Sequence, residues 1–295
     1  MTINHKKENF SRLEISNKNR VPIIFSSPHS GKKFTNEFLE EINCAPSNLF
    51  FLEDKYVDEL YMGSSTYGIS KIDAIISRAV IDLNRGLSDL DYNLIENVPS
   101  IILDSIKTSY PSKYVRSGIG LIPKVNQFDK EIYSKKINWK LIKDRIDKLY
   151  TPWHTSLKRM IDDNYKKYNF LLLIDCHSMP PNTNLQKDYD IVLGDNFGKT
   201  CGNFISEFIK SQFEDMNYFV GLNEPYAGGY ITNNYSDKSK NIHCIQIEIN
   251  RDLYMNRKTL KKNDNFIILR KNLNLFMKNL SNFIVNNYQN RIAAE

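Results

Sequence analysis

The chain has 295 residues, 41% of them hydrophobic and 25% charged, with a net charge of +6. This is the composition of an ordinary folded protein, long enough for one large α/β domain or two small ones. No apolar run approaches a membrane span and the N-terminus lacks the apolar core of a secretory signal, so neither a membrane nor an export role is expected. The basic pairs Lys6-Lys7, Lys135-Lys136, Lys166-Lys167 and Lys261-Lys262 are scattered like solvated helix faces, which argues against a nucleic-acid partner. A mild positive balance suits a small anionic ligand. Cys44, Cys176, Cys201 and Cys244 form no Cys-x-x-Cys pair and read as reduced thiols of a cytoplasmic protein.

In chain order, residues 1–20 are polar and are expected to form a loose end. Val21–Ser27 reads as a buried strand running into Pro28-His29-Ser30-Gly31. Thr35–Ile42 reads as a short helix capped by Thr35 or Asn36. Asp54–Tyr67 reads as a longer one, with an apolar stripe of Val57, Leu60, Tyr61 and Met62 and Gly68 at its end. Ile72–Ser77 and Ala79–Leu83 read as one or two strands, the second ending in Asp82-Leu83-Asn84-Arg85-Gly86. Residues 86–136 hold Pro99, Pro111, Pro123, Gly118 and Gly120 without a sustained period, a long excursion of the kind that often carries function. Ile137–Tyr168 reads as helical, interrupted where Thr151 caps a new start and Pro152 takes the first position. Five apolar residues, Phe170–Ile174, then form a strand buried on both faces. That strand ends in Asp175-Cys176-His177-Ser178 and is stopped by Pro180-Pro181. Tyr189–Leu193 reads as a strand, Lys199–Met216 as an amphipathic helix and Asn217–Val220 as a short strand. Residues 221–241, rich in Gly, Asn and Ser, read as a lid. His243–Asn250 is the last strand and Asn263–Tyr288 the last helix. Strands alternating with helices, with no convincing linker, predict one three-layer α/β/α domain over residues 1–295.

In open α/β sheets, reactive groups sit just beyond the carboxyl ends of the strands. His29 and His177 both occupy such positions, and Asp175 and His177, two residues apart, point to the same side. Two histidines with a nearby carboxylate are the parts of a catalytic zinc site, which needs three protein ligands and one open position. Strand-end histidines satisfied by ordinary hydrogen bonds would look the same, and the spacing leaves both readings open. On the strand His243–Asn250, Ile245, Ile247 and Ile249 face one way and Gln246, Glu248 and Asn250 the other. Glu248 therefore reads either as part of the wet face of an edge strand or as a general base tuned by burial. Arg85 reads either as a bidentate carboxylate clamp or as the partner of Asp82 or Asp89 in a structural salt bridge.

Taken together, Pro28-His29-Ser30-Gly31, the run from Asp54 through Asp58 to Tyr61, Ser77-Arg78 with Asp82 to Arg85, Asp175 to Pro180, Gly228-Gly229-Tyr230 and Gln246 to Met255 resemble the N-formylglutamate amidohydrolase family. The motifs keep one order from about residue 20 to 260. The resemblance implies an α/β fold with a mixed, mostly parallel sheet like that of the zinc carboxypeptidases. It also implies metal-dependent hydrolysis of the formamide bond of N-formyl-L-glutamate to formate and L-glutamate, as in histidine degradation. It implies one Zn2+ held by His29, His177 and a carboxylate. Zinc carboxypeptidases supply a glutamate three residues after the first histidine, and that position here is Lys32. Asp54 is therefore the expected third ligand, with Asp58 second.

Glu248 matches the catalytic glutamate, and Asn84 and Arg85 match a substrate-holding pair. Arg85 or His154 would stabilise the oxyanion, and Asp175 would orient a ligand or a clamp. Arg78, Arg116 and Arg251 join Arg85 as candidates for binding the two substrate carboxylates, with Tyr226 or Tyr230 brought in by the lid. The expected state is a monomer or small homo-oligomer. Three other readings compete: a zinc amidohydrolase for another N-acyl amino acid or short peptide, a metal-free serine hydrolase using Ser30 or Ser178 with His177 and Asp175, and a non-catalytic binding protein. No Gly-x-Ser-x-Gly elbow supports the serine hydrolase, and the binding protein would be marked by a missing ligand or a missing Glu248.

Overall fold

The computed structural model describes residues 3–7, 10–16, 20–102, 110–126, 128, 130–181 and 188–289. An eight-stranded mixed sheet crosses the molecule. Its strands are β1 (Ile3–Lys7), β2 (Ser11–Ser16), β3 (Ile23–Ser27), β4 (Ser70–Ala74), β7 (Leu171–Met179), β8 (Ile191–Gly194), β9 (Val220–Leu222) and β10 (Ile242–Asn250), in spatial order β1-β2-β4-β3-β7-β10-β8-β9. The strands β4, β3, β7 and β10 run parallel at its centre, while β2 and β8 join them antiparallel. Two short strands, β5 (Ile95–Glu96) and β6 (Ile137–Asn138), pair separately.

The apolar run of β7 is buried on both faces, as its composition requires. Leu172 and Ile174 pack with Phe25, Ile245 and Ile247 against α6 (Asn203–Glu214) and α8 (Phe266–Ile284). Leu171 and Leu173 pack with Ile24, Ile72 and Cys244 against α5 (Thr151–Tyr168), through Trp153, Leu157 and Met160. Helices cover both faces of the sheet, the three-layer arrangement that alternating strands and helices predict.

Several expectations shift. Residues 1–20 contribute β1 and β2, an antiparallel edge pair, rather than a loose end. Their strand pattern is obscured by charge, since edge strands commonly carry it. The helix expected over Asp54–Tyr67 is only α2 (Val57–Leu60) followed by a 3-10 turn at Ser64–Tyr67, because Gly63 at φ 94° breaks it. Ala79–Leu83 is a buried loop, not a strand. Thr35 does cap α1 (Asn36–Glu41), accepting from the Phe38 N–H. In place of the expected break at Thr151-Pro152, a wide π-turn, Ile146–Tyr150, carries α4 (Trp139–Arg145) on into α5, and Thr151, itself helical, makes no cap. Proline lacks an N–H and crowds the carbonyl four residues back, and the wider turn accommodates both.

Leu173 is fully buried at the centre of the sheet. Leu173→Ala is expected to lower unfolding stability by roughly 2–5 kcal/mol, read as a shift of the urea midpoint with an unchanged slope.

Candidate active site

The period of two along each strand decides which side chains meet. On the α5 side of the sheet, Ser26 follows Ile24 on β3, Asp175 and His177 follow Leu173 on β7, and Gln246 and Glu248 follow Cys244 on β10. The parallel register then makes neighbours of Ser26 and Asp175, of Asp175 and Gln246, and of His177 and Glu248. His29 lies in the turn just past β3, and its carbonyl accepts the Asp54 N–H at 3.0 Å. That bond brings Asp54 to the same point.

His29, Asp54 and His177 are all buried, and their ligand atoms lie within 4.8 Å of one another. His177 Nδ1 is 2.8 Å and His29 Nδ1 3.4 Å from Asp54 Oδ2. The opposite ring nitrogens are held by two further buried carboxylates: His29 Nε2 by Asp82 at 2.6 Å and His177 Nε2 by Asp175 at 2.8 Å. A carboxylate only accepts, so each Nε2 carries the hydrogen. A hydrogen bond of this kind on the far nitrogen is what orients a histidine toward a metal. Asn84 Nδ2 also approaches His177 Nε2, at 3.1 Å, but both are donors, and the amide donates to Asp175 Oδ2 at 3.0 Å instead.

The electrostatics call for positive charge at this point. Burial opposes the charged ring of His177, but Asp175 and Asp54 outweigh it and hold its pKa well above the ordinary value. Burial likewise opposes ionisation of Asp54, yet the hydrogen bonds from His177 and His29 keep its carboxyl well below the usual range. Asp82 is held low in the same way by Arg78 and His29. A cation bound at the two Nδ1 atoms and Asp54 would take the place of an imidazole proton. The donor set, its burial and its carboxylate-backed histidines all fit a metal ion.

Glu248 lines the same cavity, of about 400 Å³, with Arg78, Asn84, Arg85, Tyr226 and Arg251. Its Oε1 accepts from Gln246 Nε2 at 2.6 Å. Burial pushes its carboxyl up to about 7, with His177 and Arg251 opposing and Asp54 and Asp175 adding to the rise. Glu248 is thus on neither a wet face nor an edge strand.

Other expected residues fall elsewhere. Asp58 is outside the cluster, paired with Arg12 at 2.8 Å. Arg251 holds Asp54 Oδ1 at 2.9 Å. The exposed Arg116 donates to the Pro111 carbonyl and does not reach the cavity. His154 is also away from it. The first turn of α5 packs its ring among Tyr150, Trp153, Tyr230 and Tyr235, with Nδ1 2.7 Å from the Tyr235 hydroxyl, and burial pushes its pKa down to about 4. A helix phase cannot be read from one histidine, so the sequence gives no warning of this. Tyr230 packs against Gly86 and His154 rather than lining the cavity. The segment expected as a lid lies folded over the site. Asn84 Oδ1 accepts the Ile231 N–H at 2.8 Å, and a Cβ at Gly229 would come within 2.4 Å of the Asn84 amide, so only glycine fits there.

Asp82, Gln246, Lys113 and Tyr114 are cavity or supporting residues that sequence reasoning missed in these roles. Only the two-residue spacing of Gln246 from Glu248 could have pointed to any of them. Neither serine suits a triad. Ser30 donates to the Ser27 carbonyl, and Ser178 contacts Asp54 and Arg251 rather than His177.

A model of the N-formylglutamate amidohydrolase family matches residues 21–255. The chain is 27% identical over 246 residues to an N-formylglutamate deformylase of Pseudomonas putida, covering 80% of this chain and 82% of that one. It is 24% identical over 247 residues to one from Pseudomonas aeruginosa, covering 80% and 83%. Its fold is similar to the crystal structure of N-formylglutamate amidohydrolase from Ralstonia eutropha JMP134, with a TM-score of 0.86, 27% identity and 94% and 99% of the two chains covered. A gene product of Agrobacterium tumefaciens shares the fold at a TM-score of 0.64 and 14% identity over 94% and 96% of the chains. The chain belongs to the N-formylglutamate amidohydrolase family and is an amide-bond hydrolase.

Proposed function

We propose that this enzyme hydrolyses the formamide bond of N-formyl-L-glutamate, giving formate and L-glutamate, with a zinc ion held by His29, Asp54 and His177. The observation that carries this reading is the convergence of two carboxylate-backed imidazole Nδ1 atoms and one aspartate beside a buried glutamate. The names of the relatives support the substrate. The placement of both histidines at the ends of parallel strands supports the expected kinship with zinc carboxypeptidases. The same reading assigns the reaction to cytoplasmic histidine breakdown.

When bound, the metal would supply a Lewis acid for the formyl oxygen and lower the pKa of a water molecule toward neutrality. Glu248 accepts the proton of the water that attacks the formyl carbon. Gln246 fixes Oε1 of that carboxylate and leaves Oε2 to take the proton. As the carbon–nitrogen bond breaks, Glu248 returns the proton to the departing amine. Asp82 and Asp175 hold the two imidazoles in one tautomer, and Arg251 holds Oδ1 of Asp54 so that Oδ2 faces them. Asn84 joins Asp175 to the segment folded over the site and so helps to exclude water.

Formate release from N-formyl-L-glutamate is the direct test. A chelator is expected to abolish it and added zinc to restore it; chelator-insensitive release by metal-free protein would overturn the metal assignment, and no release by zinc-loaded protein the substrate assignment. Asp82→Asn is expected to weaken zinc affinity by about 10–100-fold, measured by competition with a chromogenic chelator. An affinity equal to wild type would remove Asp82 from its supporting role.

Glu248→Gln is expected to lower kcat by about 10²–10⁴-fold while zinc still binds. In the wild type, a base must be ionised to act, so kcat/KM should rise with pH along an acid limb. That limb lies at or below about pH 7, because a bound cation favours the carboxylate. In the metal-free protein the sign for stability is opposite. The folded pKa of Glu248 lies above its ordinary 4.5, so the folded state binds more protons and loses stability as pH rises from about 4.5 to about 7. Metal-free Glu248→Gln should therefore melt higher than metal-free wild type at pH 8, with the gap closing near pH 4.

A further inference from the structure

The cavity is lined by four cationic side chains among the described residues: Arg78, Arg85, Lys113 and Arg251. Two of them are matched within the protein. Arg251 directs all three guanidinium nitrogens to Phe51 O, Ser178 and Asp54. Arg78 is paired with Asp82 at 2.6 Å.

Arg85 and Lys113 are different. Arg85 donates from Nε to the Ile119 carbonyl at 3.0 Å and from Nη1 to the Asn84 carbonyl at 2.8 Å. These acceptors are neutral and fix the guanidinium plane; Arg85 acts on Asp82 only at a distance, and among the described residues it makes no direct ion pair and its Nη2 makes no hydrogen bond. Lys113, on the short helix α3 (Lys113–Arg116), makes no ion pair among the described residues. Both cations lie over the ring of Tyr114, Arg85 Cζ at 3.8 Å and Lys113 Nζ at 5.1 Å from its centroid. An aromatic face attracts a cation without cancelling its charge, and two like charges gathered at one ring repel. An anion received by this wall would relieve that repulsion.

The position of the wall distinguishes the two carboxylates of the proposed substrate, because the α-carboxylate is bonded to the carbon that carries the reacting nitrogen whereas the side-chain carboxylate lies two methylenes further out. The histidines, Asp54 and Glu248 are buried, whereas Tyr114 is half-buried and Lys113 exposed. Arg85 is itself buried, so the Arg85–Tyr114–Lys113 wall runs from beside the reacting centre out to solvent, where the far end of a bound substrate lies. We propose that Arg85 and Lys113, joined through Tyr114, bind the side-chain carboxylate of the substrate, and that Lys113 is the residue that selects acidic N-acyl amino acids over neutral ones. This rests on the reading of the substrate given above.

The test compares kcat/KM for N-formyl-L-glutamate and N-formyl-L-glutamine, equal in length but differing in that one charge, in zinc-loaded wild type, Lys113→Ala and Lys113→Arg. The preference for the acid is expected to fall about tenfold in Lys113→Ala, the effect of one charge-assisted hydrogen bond, mainly through KM. Lys113→Arg should recover most of it. A loss shared equally by both substrates would mark Lys113 as merely structural and overturn the assignment, as would an unchanged preference. Wild type inactive on N-formyl-L-glutamate would overturn the substrate reading itself, and the role of Lys113 with it.

Discussion

Four carboxylates are buried around His29 and His177: Asp54, Asp82, Asp175 and Glu248. An ionised carboxylate left there without partners would be unfavourable by several kcal/mol or more, so the surrounding sequence is largely a set of matches for them. Arg78 neutralises Asp82, Arg251 holds Asp54, and Ser26 and Asn84 donate to Asp175. His29 and His177 then bridge these acids, each with one nitrogen on a backing carboxylate and the other toward Asp54. Glu248 is the exception. Its hydrogen-bond donor is the neutral amide of Gln246, so its proton affinity rises where that of Asp54 falls. A group that takes and releases a proton near neutrality is made here by withholding a paired cation from one acid among four.

Backbone pairing turns this balance into geometry. Glu248 stands beside His177 because β10 and β7 are parallel in that register, and a slip of one residue would turn Glu248 to the opposite face, among Ile245, Ile247 and Ile249. The hydrogen bond from Ser26 to Asp175 links residues already paired between β3 and β7 at 3.1 Å, which ties the turn bearing His29 to the strand bearing His177. Strands buried on both faces are the least deformable elements available. They suit ligands whose separation must be held to a fraction of an ångström.

What the sequence made legible follows the same division. The strands β3, β7 and β10 are readable because each is a dense apolar run or a clean alternation, and the side chains at their ends are readable with them: His29, His177 and Glu248. Asp54 is reached only through the resemblance, since nothing local shows that its N–H caps the His29 carbonyl. Asp82 is three residues from Arg85 and reads as one of its possible partners, but Arg78 and, across 53 residues, His29 take it instead. His154 was misplaced because one helical histidine carries no information about which face its helix buries. The first two strands were missed because an edge strand that must resist pairing with other chains carries charges that mask its alternation.

The wall that faces the far end of the substrate is built from a part of the chain with no sustained period, yet it is not independent of the metal site. Leu121 links the two. Its carbonyl accepts the Asp82 N–H at 2.8 Å, and its own N–H donates to the Asp89 carbonyl at 2.9 Å. The segment carrying Lys113, Tyr114 and Ile119 is thereby fastened beside the residue that orients His29, and Ile119 in turn fixes Arg85. Side chains at 113 and 114 can vary without touching this backbone link, because neither takes part in it. Substrate charge preference is thus adjustable on the surface of a short helix, while the distance from that helix to the ligand set is held by main-chain hydrogen bonds that substitutions at 113 and 114 leave in place.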